Sequence, residues 1–393
     1  MQEKINIIQF LPYFPPHKGG LETVAEEIWK YWVKNNFWDF INIVTEFEQE
    51  KELKNNEKII FEWEIIWYKK AWVEVLVCPS IELINNFPVY KFWDKKYKII
   101  KKYIKNKIWE NKDNFRIITH TRFFLTSLFW WIFARKNKIK WIHIEHWSDY
   151  VKLSSKFKSF IAFVYDKIFW KWIFKNADLV IPISNACKNF VEKLWWKKVK
   201  LWPVIYRWIN LKELNLEKKL NLKLSFIWRL VKLKWVDDLL KAYKNLNLDI
   251  KLEIIWDWEE KEKLEKFAKE NNLNIEFLGF KNKDFIEKYL AENKVILINP
   301  SYQEWLPTTV IEWLFYKNIV IASNVGWTSE ISDKEDLILF EAWNISELEK
   351  KIKYWIENYE KLVWKSFEII KNKFNWKKNI EKYYLEIKKL ENL

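Results

Sequence analysis

The residues best suited to chemistry lie in one nine-residue segment, Glu304-Trp305-Leu306-Pro307-Thr308-Thr309-Val310-Ile311-Glu312. Pro307 has the fixed φ and missing N–H that suit the first position of a helix, so a helix is expected to open there, leaving Glu304 on the loop before it. The N–H groups of Thr308 and Thr309 then lack partners within the helix. With the positive end of the helix dipole they form a natural seat for a diphosphate, and Leu306 and Pro307 complete the same turn. Glu312, five residues into the helix, is within reach of a ribose. Arg229 and Lys234 follow the strand-like LSFI and supply two fixed cations suited to a phosphate clamp. Gly19-Gly20 gives a flexible loop between the strand-like INIIQFL and the helical TVAEEIWKYW. His120 and His146 follow RIIT and WIHIE, again at strand ends, where a histidine is either structural or reactive. Arg122 lies two residues beyond the first, and Gly279-Phe280 follows another apolar run.

These groups need a scaffold that ends many strands at one edge. Short apolar runs alternate with longer amphipathic stretches throughout, the pattern of βα units feeding parallel sheets. INIIQFL, FINIVTE, RIITH, KWIHIEH and ADLVIPIS are the expected strands of the first half, with helical stretches between them. LSFI, LEIIW, IEFLGF, VILINPS, NIVIAS and DLILF are those of the second half. The chain therefore reads as α/β with two doubly wound domains, 1–207 and 208–372, followed by a C-terminal helical segment, 373–393. At 393 residues the chain exceeds the size at which one core stops growing.

The net charge of +15 comes almost wholly from lysines scattered through helices, with arginine only at 116, 122, 135, 207 and 229. Nucleic-acid readers lean on arginine forks, so no nucleic-acid partner is expected. A lysine-rich surface is compatible with peripheral contact at an anionic membrane, and FKSFIAFVYDKIF (157–169) reads either as a core helix or as an aromatic face for a lipid-linked acceptor. There is no run of 18 uncharged apolar residues, and MQEKINIIQFLPYFPPH reads as a first strand rather than a signal peptide. The expected location is cytoplasmic, with the inner face of the membrane as a peripheral site. Cys78 and Cys187 have neither C-x-x-C spacing nor a histidine cluster beside them, so disulfides and structural zinc are not expected.

One composition figure breaks the pattern: 29 Trp against 4 Gly. Tryptophan occupies strand-to-helix turns at 228, 235, 256, 258, 305 and 327, where a positive φ or a close backbone approach calls for glycine. Trp147 follows a strand in the same way. We expect many of these to be glycine in the natural protein, written as Trp because UGA codons were read with the wrong genetic code. Trp93 and Trp141 read as ordinary aromatics, whereas 38, 63, 67, 72, 195 and 202 are ambiguous.

With glycine at those turns, the chain resembles the retaining glycosyltransferases of family 4, glycosyl transferases group 1, along nearly its whole length. Four elements carry the resemblance in order: PPHKGGLETVAEEI (15–28), FIWRLVKLKWVDDLLKAY (226–243), IIWDWEEKEKL (254–264) and PSYQEWLPTTVIEWLFYKNIVIASNVGWTSEI (300–331). It implies the GT-B fold, two Rossmann-like domains facing a central cleft with C-terminal helices closing back on the first. It implies hexosyl-type transfer from a UDP-, GDP- or similar sugar to a saccharide or lipid-linked saccharide, with retained anomeric configuration, in surface polysaccharide or glycolipid synthesis. By resemblance Glu304 contacts hydroxyls of the donor sugar and Glu312 those of the ribose. Arg229 and Lys234 hold the diphosphate, Gly19 and Gly20 face it, and Gly279 and Phe280 border the nucleobase. His120 lies nearest the transferred sugar, with His146 and Arg122 on the acceptor side. No Asp-x-Asp pair is present, so neither metal nor other cofactor is expected. The competing readings are an inactive nucleotide-sugar-binding paralogue and a basic RNA- or membrane-surface-binding α/β protein.

Overall fold

The computed structural model describes residues 5–14, 20–36, 39–46, 58–61, 65–70, 73–84, 87–122, 124–150, 156–195, 204–206, 222–227, 236–255, 261–301, 308–325, 328–331 and 338–390. The chain divides into two compact units, residues 1–207 with 378–393 and residues 208–377.

The first unit contains β1 (Asn6–Phe10), α1 (Gly20–Lys34), β2 (Phe40–Thr45), β3 (Lys58–Phe61), β4 (Ile65–Lys70), β5 (Val73–Cys78), β6 (Ser80–Ile84) and β7 (Phe87–Tyr90). It continues with α2 (Lys95–Glu110), β8 (Phe115–His120), α3 (Leu125–Asn137), β9 (Lys140–Glu145), α4 (Lys156–Tyr165), α5 (Lys171–Asn176), β10 (Leu179–Pro182) and α6 (Asn185–Trp195). Its main sheet has the order β10-β9-β8-β1-β2-β5-β4-β3. The strands run parallel from β10 to β5, and β4 and β3 extend the edge antiparallel. The described residues between 58 and 90 are the main departure from expectation, forming strands rather than a helical stretch. KIIF, IIWYKK and VEVLVC are dense in β-branched and aromatic residues, which fit a pleated surface better than a helix.

The buried residues of α2, Tyr97, Ile100, Ile104 and Ile108, recur at helical spacing and belong to the core that includes Ile8, Phe10, Ile41 and Ile117 of the sheet. Asp94 caps the helix by accepting from the Lys96 N–H at 2.7 Å. From α3, Trp130 stacks on Phe10 with ring centroids 3.8 Å apart. Each fully buried side chain of this size contributes about 1.5–3 kcal/mol.

The second unit contains β11 (Leu222–Ile227), α7 (Val236–Leu246), β12 (Leu252–Ile255), α8 (Lys261–Glu270), β13 (Ile275–Gly279), α9 (Lys283–Glu292) and β14 (Lys294–Asn299). It continues with α10 (Thr308–Phe315), β15 (Ile319–Ser323), α11 (Thr328–Ile331), β16 (Ile338–Phe340) and the long α12 (Ile345–Lys373). All pairings are parallel, in the order β13-β12-β11-β14-β15-β16. This is the doubly wound dinucleotide-binding order, and its direction reverses between β11 and β14. The last helix, α13 (Trp376–Lys389), rejoins the first unit from residue 378. Its Tyr384 ring lies 5.7 Å from Trp32 and 6.4 Å from Tyr31 of α1, and Asn379 donates to the Tyr206 carbonyl at 3.3 Å. The C-terminal helix thus closes back on the first domain.

Trp228, Trp235, Trp256, Trp258, Trp305 and Trp327 lie outside the described residues. Trp141 behaves as an ordinary aromatic, buried and donating from its indole to Thr119 Oγ1 at 2.9 Å. A residue the sequence reading passed over is more telling. Trp343, exposed in the turn before α12, has φ +78°. That left-handed conformation suits glycine and is an outlier for a bulky side chain.

Candidate active site

In open parallel sheets, ligands sit beyond the carboxyl ends of the strands where the strand order reverses. In the second unit that point lies between β11 and β14, which pair in parallel from Leu222 opposite Lys294 to Ser225 opposite Leu297. The chain leaving β11 carries Arg229 and Lys234; the chain leaving β14 carries Glu304, Leu306 and Pro307. All five lie outside the described residues, but their strands end side by side. The helix expected to open at Pro307 is present as α10 from its first described residue, Thr308. Thr308 and Thr309 therefore occupy its first turn, whose N–H groups have no acceptor within a helix. Glu312 lies half-buried one turn further on. At the end of β13, Gly279 has φ +68° with nothing within 4 Å of a Cβ built there, so the conformation, not space, calls for glycine. Phe280 follows it, exposed.

The corresponding reversal in the first sheet lies between β1 and β8. Gly20 opens α1 after β1, and Gly19 lies outside the described residues. His120 closes β8 and is buried. Its Nε2 lies 2.6 Å from Gln9 Nε2, an amide donor, and its Nδ1 lies 3.0 Å from His146 Nε2. Burial, then the proximity of His146 and His143, holds His120 well below the usual histidine range, so it is neutral at neutral pH. A neutral ring that accepts from Gln9 carries its proton on Nδ1 and donates it to His146 Nε2. The half-buried His146 then carries its own proton on Nδ1. Thr121 follows with φ +58°, a left-handed conformation that costs a β-branched residue about 1–3 kcal/mol. Ser127 Oγ holds that turn by donating toward the carbonyls of His120 and Thr121, each at 3.1 Å. The strain sits beside the residue expected nearest the chemistry.

Arg122 departs from expectation. It is fully buried, and its guanidinium is turned inward rather than presented to an acceptor. Its Nε lies 3.1 Å from Asp166 Oδ1 and its Nη1 3.3 Å from Glu145 Oε1. It donates through Nη2 to the Asp149 carbonyl at 2.6 Å and through Nη1 to the Trp147 carbonyl at 3.4 Å, with Phe190 beneath it at 4.5 Å. The reason is geometric: an arginine just past a strand end, between two buried carboxylates, is the cation that neutralises them. Glu145 Oε1 also accepts from the N–H groups of His146 and Trp147, at 3.0 and 2.9 Å. Burial alone would raise the Glu145 carboxyl, but Arg122, His143 and the Trp147 amide together hold it below its ordinary value. Burial dominates at Asp166, which is pushed up to about 6 despite Arg122. The ion cluster thereby clamps the 146–149 loop and sets His146 against His120.

Sequence reasoning missed Gln9, Glu145 and Asp166. The available signal was a polar residue in or beside an apolar run: Gln9 in INIIQFL, Glu145 in KWIHIEH and Asp166 as the one acid of FKSFIAFVYDKIF. Cys78 and Cys187 are buried, and burial raises both thiols well above their ordinary range. Among the described residues no helix is long and apolar enough to cross a membrane, and no group of three or more His, Cys, Asp or Glu could hold a metal ion.

One prediction arises from His120. Because its folded-state value is depressed, acidification below its ordinary 6.5 must either charge a buried ring or unfold the chain. Stability should therefore fall with decreasing pH below that point, by at most about 1.4 kcal/mol per pH unit from this group. Urea unfolding of the chain and of His120→Gln at stepped pH isolates the contribution: the variant's curve should be flatter, and parallel curves would refute it.

Solved structures that share this fold include glycosyltransferases. A glycosyltransferase of Rickettsia africae superimposes with TM-score 0.71 at 19% identity, covering 99% of this chain and 98% of that one. The Anabaena HepE protein in complex with UDP gives TM-score 0.70 at 16% identity, covering 98% and 100%. HepE has also been solved with UDP-glucose, at TM-score 0.64, 15% identity and the same coverage. An uncharacterised glycosyltransferase of Methanocaldococcus jannaschii is 32% identical over 418 aligned residues, covering 99% of this chain and all of that protein. Residues 207–376 match the family model described as glycosyl transferases group 1. The chain therefore belongs to the group 1 glycosyltransferases, with the GT-B fold.

Proposed function

We propose that the protein transfers a sugar from a nucleotide diphosphate donor to a saccharide or lipid-linked saccharide, with retained anomeric configuration, in surface polysaccharide or glycolipid synthesis. The observation that carries this reading is the reversal point of the second sheet, where neighbouring strands β11 and β14 lead into the two segments bearing Arg229, Lys234 and Glu304 to Glu312. There the first-turn amides of α10 and the two cations hold the diphosphate. Arg229 and Lys234 neutralise the charge that grows on the leaving nucleotide, work done by a metal in other transferases. Glu304 and Glu312 bind donor hydroxyls, and Gly279 and Phe280 border the base. A phosphate oxygen of the leaving group accepts the acceptor proton as the glycosidic bond forms on the same face. HepE's complexes with UDP and UDP-glucose, on the same fold, favour such a donor. Incubating the chain with UDP- and GDP-hexoses and saccharide acceptors, and reading the product's anomeric proton coupling, tests it: the donor's configuration should persist, and an inverted product would overturn the mechanism.

We further propose that part of the tryptophan set is glycine in the natural protein, supported by the positive φ of Trp343. The gene decides it: UGA should stand at codon 343 and at 228, 235, 256, 258, 305 and 327, and UGG at those positions would end the proposal.

A further inference from the structure

Helix α4 and the wider turn that continues it, Asp166–Trp170, present two opposite faces. Inward go Asp166, to Arg122, and Trp170, whose ring lies 5.2 Å from His143 and 5.3 Å from Phe174. Outward go five large apolar side chains within ten residues: Phe160, 62% exposed, Ile168, 57% exposed, and Ile161, Phe163 and Phe169. Among the described residues the other exposed large apolar side chains are spread along the chain, so this face is a concentrated patch of the kind that marks an interaction surface. The widened turn matters here. One extra residue per turn lets Asp166 and Trp170 reach the core while Ile168 and Phe169 stay on the side of Phe160 and Ile161.

Charge identifies the occupant. Residues 156–176 include Lys156, Lys158, Lys167, Lys171 and Lys175 but a single acid, Asp166, and that acid is buried against Arg122. Lys167 Nζ lies 5.5 Å from the exposed Phe163 ring and 5.8 Å from that of the half-buried Tyr150, an ammonium set beside aromatic rings rather than paired across a surface ion bridge. An apolar face that shares its stretch with Lys167 and the exposed Lys175, and with no exposed carboxylate, matches an anionic bilayer surface: rings and aliphatics enter the acyl boundary while the lysines meet lipid phosphates.

We propose that α4 and the Asp166–Trp170 turn dock this protein peripherally on an anionic membrane. The docking rests on the lipid-linked-acceptor reading only for its purpose. Asp166 of the same turn pairs with Arg122, which in turn donates to the Trp147 and Asp149 carbonyls, so the docking face is linked to the loop that carries His146.

The test uses the full chain with vesicles of equimolar phosphatidylcholine and phosphatidylglycerol, with pure phosphatidylcholine vesicles, and with no vesicles in a light-scattering measurement. The chain should sediment with the anionic vesicles and partition at least tenfold less onto neutral ones, and rising salt should weaken binding. Phe160→Ser, Ile168→Ser and Phe169→Ser combined should lower partition at least tenfold without changing the thermal melt. Lys167→Glu with Lys175→Glu should lower it on anionic vesicles only. Transfer to a water-soluble saccharide, measured alongside, should survive both sets of changes, which separates failed docking from a failed transferase reading. The proposal would be overturned by no binding to anionic vesicles, by equal binding of the triple variant, or by a wild-type dimer in solution that the triple variant converts to monomer. A triple variant that also loses soluble transfer would overturn it too, since it would place the face in the fold or the transfer site.

Discussion

Replacing Arg229 by Met should slow sugar transfer by about 10²- to 10³-fold. The guanidinium is assigned to the leaving diphosphate, where negative charge increases as the glycosidic bond breaks. Its interaction is therefore stronger in the transition state than with the bound donor, and the loss should fall mainly on kcat rather than on KM. Lys234→Met should behave alike, and the double variant should lose less than the product of the two, because both cations act on one group. Steady-state kinetics of the three variants check this. A rise in KM with kcat unchanged would mean that Arg229 binds the donor uniformly and does not assist departure of the nucleotide.

The second large effect concerns stability. Arg122→Met should destabilise the chain by about 3–5 kcal/mol, because it leaves the buried Glu145 and Asp166 carboxylates without their cation. The sign with pH follows from the same charges. Without Arg122 both carboxyls bind protons more readily, and Asp166 already stands near 6 with Arg122 present. The deficit should therefore be greatest at neutral pH and shrink as the pH falls toward 5. Urea unfolding at the two pH values measures it. A deficit that does not change with pH would point to lost packing against Phe190 rather than stranded charge.

Much of this was legible in the sequence, for reasons that differ between elements. Each expected strand of the second half forms, because a strand buried on both faces leaves an uninterrupted apolar run such as VILINP. The start of α10 was legible from Pro307 because proline fixes one dihedral and lacks one donor, both local properties. The strands between 58 and 90 were not, since their antiparallel pairing is set by neighbours such as β5 rather than by a period that stands out. Arg122 shows the limit most clearly. Its position after a strand end was visible, but its role depends on Asp166, forty-four residues away and brought in by a widened turn. Pairings of that separation leave no trace in spacing. Trp343 illustrates the reverse case: the composition, 29 Trp against 4 Gly, pointed to no particular position, whereas a backbone angle singles out one whose conformation suits glycine.

The claim at the centre of this account is that the reversal point of the second sheet binds a nucleotide diphosphate. Thermal unfolding of the full chain, carrying the residues its gene specifies, in the presence of UDP and of GDP tests it most directly. One of the two should stabilise the protein by about 2.7 kcal/mol when present at a hundred times its dissociation constant. Arg229→Met should abolish that gain. If neither nucleotide raises the melting temperature at any concentration, or if the gain survives loss of Arg229, the diphosphate site is not where this account places it.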